Sequence, residues 1–265
     1  MKDLTIGIIG GGVVGRAVAR TYLDFVKEVR VWDMIKERTT TSHIGECVFL
    51  ADLVFICLPE GEVNQCLRHL DASGYADRNY VLKSTVPIGT TKRLAQQYGF
   101  PNIVHSPEFL TERVAMTDAL LPARNIIGNI VPPTNVWSAG NRAAEHLNIL
   151  HHTRFPGIQV QLMSSDESEA VKLMTNAFFA TKISFMNEMR GLCDGLGLNW
   201  EAVLAGMLSD GRISHSHTQV PGHDGLGGFG GRCLPKDLEQ LIQCYSSPSV
   251  ETLPVVLEAV QQYAR

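Results

Sequence analysis

No Cys-x-x-Cys pair occurs anywhere in this sequence. Its six cysteines, Cys47, Cys57, Cys66, Cys193, Cys233 and Cys244, stand apart, so neither a zinc knuckle nor a disulfide framework is expected and each is read as a thiol of a reducing compartment. Long apolar runs are missing too, and nothing approaches the roughly 18 residues of a membrane span. The opening MKDLTIGIIG meets glycine too soon for a signal peptide, so a cytoplasmic location is expected. Excess charge is also absent, since the net charge is −4, and this argues against nucleic acid or a membrane surface as partner. There is no internal repeat and no low-complexity tract. What remains is an ordinary globular composition, 45% hydrophobic and 19% charged over 265 residues, enough for one large or two modest domains.

The first half alternates short apolar runs with helical patterns. LTIGIIG, EVRVWD, DLVFICLP, NYVLKST, NIVHSP and RNIIG read as strands, with helical stretches from about Val13, from about Glu62 and after Ile88. Strands and helices alternating at this pace predict an α/β fold with a parallel, doubly wound sheet. After PGIQVQLM the texture changes to one long helical pattern over residues 164–192, opened by serine and acidic residues suited to a helix N-terminus. The boundary is therefore expected at 163/164, with a dinucleotide-binding domain before it and an all-helical catalytic and dimerisation domain over residues 164–265, wrapped around a glycine-rich loop at 221–231.

Gly10, Gly12 and Gly15, with Val13 and Val14 between them, form a G-x-G-x-x-G run directly after a strand and at the opening of a helix. Such a run gives a tight turn, room for a pyrophosphate and close helix packing, with helix amides facing the phosphates. Alone the motif is weak. Asp33, at the end of the next strand, strengthens it, because a carboxylate there holds a ribose hydroxyl pair and repels a 2′-phosphate. NAD is expected rather than NADP.

The stretch GFGGRCLPKD crowds glycines against a cysteine, a lysine and an aspartate. Buried inert thiols usually lie among apolar neighbours, as Cys57 does in LVFICL, whereas Cys233 lies among polar residues and glycines. Together with KSTVPIGTT, SPEFLTERVAMTDALLPARNIIG and EAVKLMTNAFFATKISFMNE, the stretch resembles the nucleotide-sugar 6-dehydrogenases, the UDP-glucose and GDP-mannose dehydrogenase family. The resemblance extends over most of the chain. It implies two successive NAD-dependent oxidations of a sugar's primary alcohol to a uronic acid, through a cysteine-bound intermediate.

Residue by residue, the resemblance makes Cys233 the nucleophile. A thiolate adds to an aldehyde as a thiohemiacetal, which loses a second hydride to become a thioester. Lys236 and the glycine amides are placed to lower the thiol pKa, and Lys236 is also assigned to the cofactor side. Lys172 and Asn176, four residues apart on one helix face, match groups that stabilise developing negative charge. Asp237 matches a group that activates water or relays a proton. Glu108 matches an acid associated with thioester hydrolysis, Thr85 a threonine that positions water, and Glu112 an acid in contact with substrate. Arg212 and Gly230 are assigned to substrate, Arg212 reaching into a neighbouring subunit. The apolar positions Val171, Met174, Phe178, Phe179, Ile183 and Met186 on the long helix add to the expectation of a homodimer. His215, His217 and His223 lack the spacing of a ligand set, so no metal is expected.

Two departures from the family pattern stand out. The segment MIKERTTTSHIGECVFLADLVF passes almost directly to the next strand where the family has a longer, loop-bearing segment. The sequence also stops before the family's second Rossmann-like domain, which carries the expectation that a sugar nucleotide's base and diphosphate find few partners here. Two alternatives stay open: a two-electron dehydrogenase of the 3-hydroxyacid and 6-phosphogluconate class, which has no need of GGRCLPKD, and a dinucleotide-binding protein without turnover.

Overall fold

The protein is described here by a computed structural model covering residues 3–131 and 141–265. It divides into two compact units, Met1–Lys172 and Leu173–Arg265. In the first unit, the strands β1 (Thr5–Ile9), β2 (Glu28–Trp32), β3 (Leu53–Ile56), β4 (Tyr80–Leu82), β5 (Ile103–His105), β6 (Asn125–Asn129) and β7 (Val160–Ser164) form one sheet in the order β2-β1-β3-β4-β5-β6-β7. The helices of this unit are α1 (Val13–Tyr22), α2 (Ile44–Phe49), α3 (Glu60–Ala72), α4 (Thr90–Tyr98), α5 (Ala115–Leu120) and α6 (Arg142–Arg154).

Alternation along the strands explains the layers. Val54 and Ile56 of β3 join Tyr80 and Leu82 of β4 on one face, beneath Val63, Leu67 and Leu70 of α3 and Leu94 of α4. Leu53, Phe55 and Val81 point to the other face, against Val18 and Tyr22 of α1 and Leu147 and Leu150 of α6. With both faces covered, the central strands read as unbroken apolar runs.

The sheet departs from the sequence reading in two places. β6 runs antiparallel to β5; the connection between them, with a 3₁₀ turn and the six-residue α5, brings the chain back without the crossover that a parallel pair needs. β7, parallel to β6 at the sheet edge, was not among the expected strands. The segment after Asp33 is not a bare connection either, since it folds into a 3₁₀ turn (Lys36–Arg38) and α2.

The long helix α7 spans Ser165–Leu196. Its start is a reciprocal capping box: Ser164 N and Oγ donate to Glu167 Oε2 at 2.7 and 2.8 Å, and Glu167 N donates back to Ser164 Oγ at 3.2 Å. In the second unit, α7 is followed by α8 (Trp200–Leu208), α9 (Leu234–Gln243) and α10 (Val255–Gln261). Leu173, Ala177 and Ala180 of α7 pack there with Leu238, Leu241, Val260 and Phe229. A second small cluster holds Met186, Cys193 and Trp200.

Candidate active site

β1 to β5 are parallel neighbours, so the loops leaving their carboxyl ends share one edge of the sheet. That edge, at the point where the strand order reverses beside β1, is where open α/β sheets bind ligands. The glycine run lies there. Gly10 has φ of 99°, and a Cβ on it would lie 2.5 Å from the Cys57 carbonyl oxygen. A Cβ on Gly15 would overlap the Gly10 carbonyl, while one on Gly12 would meet nothing within 4 Å. The turn is therefore tight behind and open in front. Gly12 is the N-cap of α1 and offers no side chain to the first-turn amides, and no acidic residue stands in that turn. The amides at Val13 and Val14 thus suit a pyrophosphate. Asp33 follows β2 and ties this corner together, accepting from Gly11 N at 2.6 Å and from Ile35 N at 2.8 Å.

The polar groups beyond β4 and β5 are interlocked. Lys172 is 4% exposed, which excludes a solvated helix charge, and its Nζ donates to Glu108 Oε1 at 3.1 Å. The ammonium also lies 5.5 Å from the centre of the Phe109 ring, over which the Arg124 guanidinium stacks at 4.0 Å. Glu108 Oε2 accepts from Leu110 N at 2.6 Å, closing the turn that carries it. Thr85 lies half-buried in the loop after β4. The far end of that loop is pinned by Glu169 of α7, whose buried carboxylate accepts from Gly89 N, Thr91 N and Thr91 Oγ1 at 2.6, 2.8 and 2.6 Å. Burial pushes this carboxyl up to about 7 against the pull of those donors. Next to it, His105 pairs Nδ1 with Ser168 Oγ at 2.8 Å and Nε2 with the Ser84 carbonyl at 3.3 Å. Burial lowers its pKa to about 3, so the ring is neutral.

The second unit holds the sulfur. Cys233 is exposed, outside any disulfide, and occupies the N-cap of α9, with Pro235 in the first turn. The positive end of a helix favours thiolate over thiol. The other thiols differ: burial pushes Cys47 up to about 11 and Cys57 and Cys66 up to about 12. Asp237, one turn along α9, is 1% exposed. Its Oδ2 accepts from Asn176 Nδ2 at 2.6 Å, its Oδ1 lies 2.7 Å from Lys236 Nζ, and its N–H bonds the Cys233 carbonyl at 2.9 Å. Lys236 also reaches Gln240 Oε1 at 3.4 Å.

The glycine loop before Cys233 is held from behind. Asn187 Oδ1 accepts from Gly228 N at 2.8 Å, and Phe229, 1% exposed, exchanges backbone bonds with Tyr263 and Arg265. Gly228 and Gly231 have φ of 70° and 79°, a region that strains other residues, and Gly230 leaves the backbone half-exposed between them. Arg212 is exposed and paired with Asp210 of its own loop. His217 stacks on Phe179 with ring centres 4.0 Å apart. The Glu112 side chain lies outside the described residues. Lys83 and Glu169 were not singled out in the sequence; the available signal was a charge set inside, or directly after, an apolar run.

A doubly wound sheet with an open glycine turn and an acid closing β2 is an architecture suited to binding a dinucleotide. Residues 166–264 match the UDP-glucose/GDP-mannose dehydrogenase family, central domain. It is 33% identical over 219 residues to the UDP-glucose 6-dehydrogenase of Campylobacter jejuni, an alignment covering 78% of this chain and 52% of that protein. The chain thus spans about half the length of this curated relative. A UDP-glucose dehydrogenase from Pyrobaculum islandicum shares the fold, with TM-score 0.79 and 24% identity, covering 98% of this chain and 68% of the other. So does 3-hydroxyisobutyrate dehydrogenase from Mycobacterium tuberculosis, with TM-score 0.76 and 16% identity, covering 98% and 92%. The fold alone therefore does not separate four-electron from two-electron chemistry.

Proposed function

We propose that the chain acts as an NAD-dependent sugar-nucleotide 6-dehydrogenase, taking a UDP-glucose-like primary alcohol to the carboxylate. The observation that carries this reading is the exposed Cys233 at the N-terminus of α9, with a buried carboxylate, Asp237, one turn away and held by Asn176 and Lys236. A simple two-electron alcohol dehydrogenase needs no such thiol. The amides of Val13 and Val14 beside Gly10, Gly12 and Gly15 would hold the pyrophosphate of NAD and Asp33 its ribose, and the cofactor would accept the hydride of each oxidation.

The protein's own groups do the rest. Lys172 offers a cation to the oxygen that develops negative charge, and its buried setting strengthens that interaction. The Cys233 thiolate adds to the aldehyde carbon; loss of a second hydride leaves a thioester, and water hydrolyses it to acid and free thiol. Asp237 takes a proton from the thiol or from water, Glu108 and Thr85 serve the hydrolytic step, and Arg212, Gly230 and Glu112 contact the substrate.

The same reading includes a homodimer in the cytoplasm. Met174, Phe178, Phe185, Leu192 and Leu196 are all exposed and recur at helical spacing along one stripe of α7, a face that a second copy would cover. Of the other positions expected there, Val171, Phe179 and Ile183 are half-buried and Met186 is buried.

The test is stoichiometry. Purified chain with NAD and UDP-glucose should form two NADH for each uronic acid. One NADH per turnover, with an aldehyde or ketone as product, would hand the case to the two-electron reading.

A further inference from the structure

Lys83 is a half-buried cation to which the reaction above gives no role. It follows β4 directly, and β4 and β5 pair in register with Leu82 opposite His105. The ladder continues one step past the strands, Ser106 N donating to the Leu82 carbonyl at 2.9 Å. Beyond that point Lys83 Nζ reaches across and donates to the Pro107 carbonyl at 3.1 Å, with Ser106 Oγ at 3.4 Å. The next residue is Glu108. We propose that Lys83 is a positioning residue: its ammonium ties the end of β4 to the Pro107 carbonyl and holds the Ser106–Glu108 turn so that the Glu108 carboxylate meets Lys172.

The local charges agree with this role. Burial brings Lys83 down to about 8, Cys57 and Glu108 pull it back up, and Lys172 pushes it further down. His105 close by is neutral. Removing Lys83 takes away the anchor of the turn, and the Glu108 carboxylate then loses its fixed place beside Lys172.

The inference rests on the proposed reaction for its meaning but is testable without it. The measurement is amide hydrogen exchange at Leu110, whose N–H is held by the Glu108 carboxylate. Lys83→Met should speed that exchange by roughly tenfold or more relative to the amides of β1, and Lys83→Gln, which keeps an N–H donor, should fall between it and wild type. With the sugar substrate, Lys83→Met should lower kcat by about 100-fold with KM changed less than about threefold, as expected for a misplaced catalytic group. Leu110 exchange within about twofold of wild type in Lys83→Met overturns the inference. Should that variant fail to fold, Lys83→Gln is judged by the same criterion. A wild-type protein that oxidises no sugar nucleotide sinks the functional reading, and the exchange rate still decides the role of Lys83.

Discussion

The two units treat polar side chains in opposite ways. In the first, Lys172, Glu108, Glu169 and His105 are buried or nearly so, and each is tied to a partner from another element. In the second, Asn176, Asp237 and Gln240 are the buried polar side chains at α9, and the Cys233 sulfur stands in the open at a helix end. The first arrangement fixes groups whose geometry must not drift. The second exposes a thiol that, in the proposed reaction, must be reached by substrate and then by water.

The largest effect that separates them is chemical. Cys233→Ser should cut uronic acid formation by roughly 10³-fold or more while leaving unfolding free energy within about 0.5 kcal/mol, because the residue is exposed. Coupled product and denaturation assays read both, and normal turnover by the serine variant ends the thioester mechanism. Lys172→Met should do the reverse in kind, costing about 3–5 kcal/mol in urea unfolding by leaving Glu108 buried without its cation. A loss below about 1 kcal/mol would mean that Glu108 relaxes into water and that the first unit is less interlocked than described.

A smaller effect tests packing. A Cβ on Gly128 of β6 would collide with the Ser168 side chain and lie 3.0 Å from the Ser164 carbonyl oxygen. Gly128→Ala should therefore destabilise by about 1–3 kcal/mol, read as a lowered Tm, and an unchanged Tm would show that α7 can step away from the sheet at no cost. The gentlest test is acid. His105 and His151 have folded pKa values near 3, below the ordinary 6.5, because burial disfavours their charge. As pH falls below 6.5 the unfolded chain binds protons that the folded chain refuses, so stability drops. Glu169 acts in the opposite sense between 7 and 4.5, since its folded pKa is raised. With two histidines against one glutamate, Tm should decline from pH 6.5 to 5. His151→Leu should flatten the decline, and a Tm that rises over that range contradicts the neutral, buried histidines.

Much of the architecture was legible because it is local. β1 to β6 announce themselves as apolar runs, Gly10, Gly12 and Gly15 carry their conformational needs in their identity, and Ser164 with Glu167 spells the start of α7. What escaped depends on distant partners. β7 is half-buried along its length and lacks the density of a central strand. The reversal at β6 depends on where the chain re-enters the sheet after α5, which periodicity does not reveal. Lys83 and Glu169 look like ordinary charges until Pro107 and Thr91, far away in sequence, are brought beside them. The stripe on α7 was half-read for a related reason, since burial by the helix's own unit decides which of its apolar residues stay uncovered.

The anchoring of Phe229 makes residues far along the chain the custodians of the thiol. Phe229 donates to the Tyr263 carbonyl at 3.1 Å and accepts from Arg265 N at 3.0 Å, and the Arg265 side chain pairs with Asp224 at 2.9 Å. Residues 263–265 are therefore the clasp of the thiol-bearing loop. Arg265→Ala, which removes the partner of Asp224, should loosen that clasp while sparing every residue proposed to touch substrate. Its sign is faster alkylation of Cys233, and an unchanged rate would show that the loop stands without its clasp.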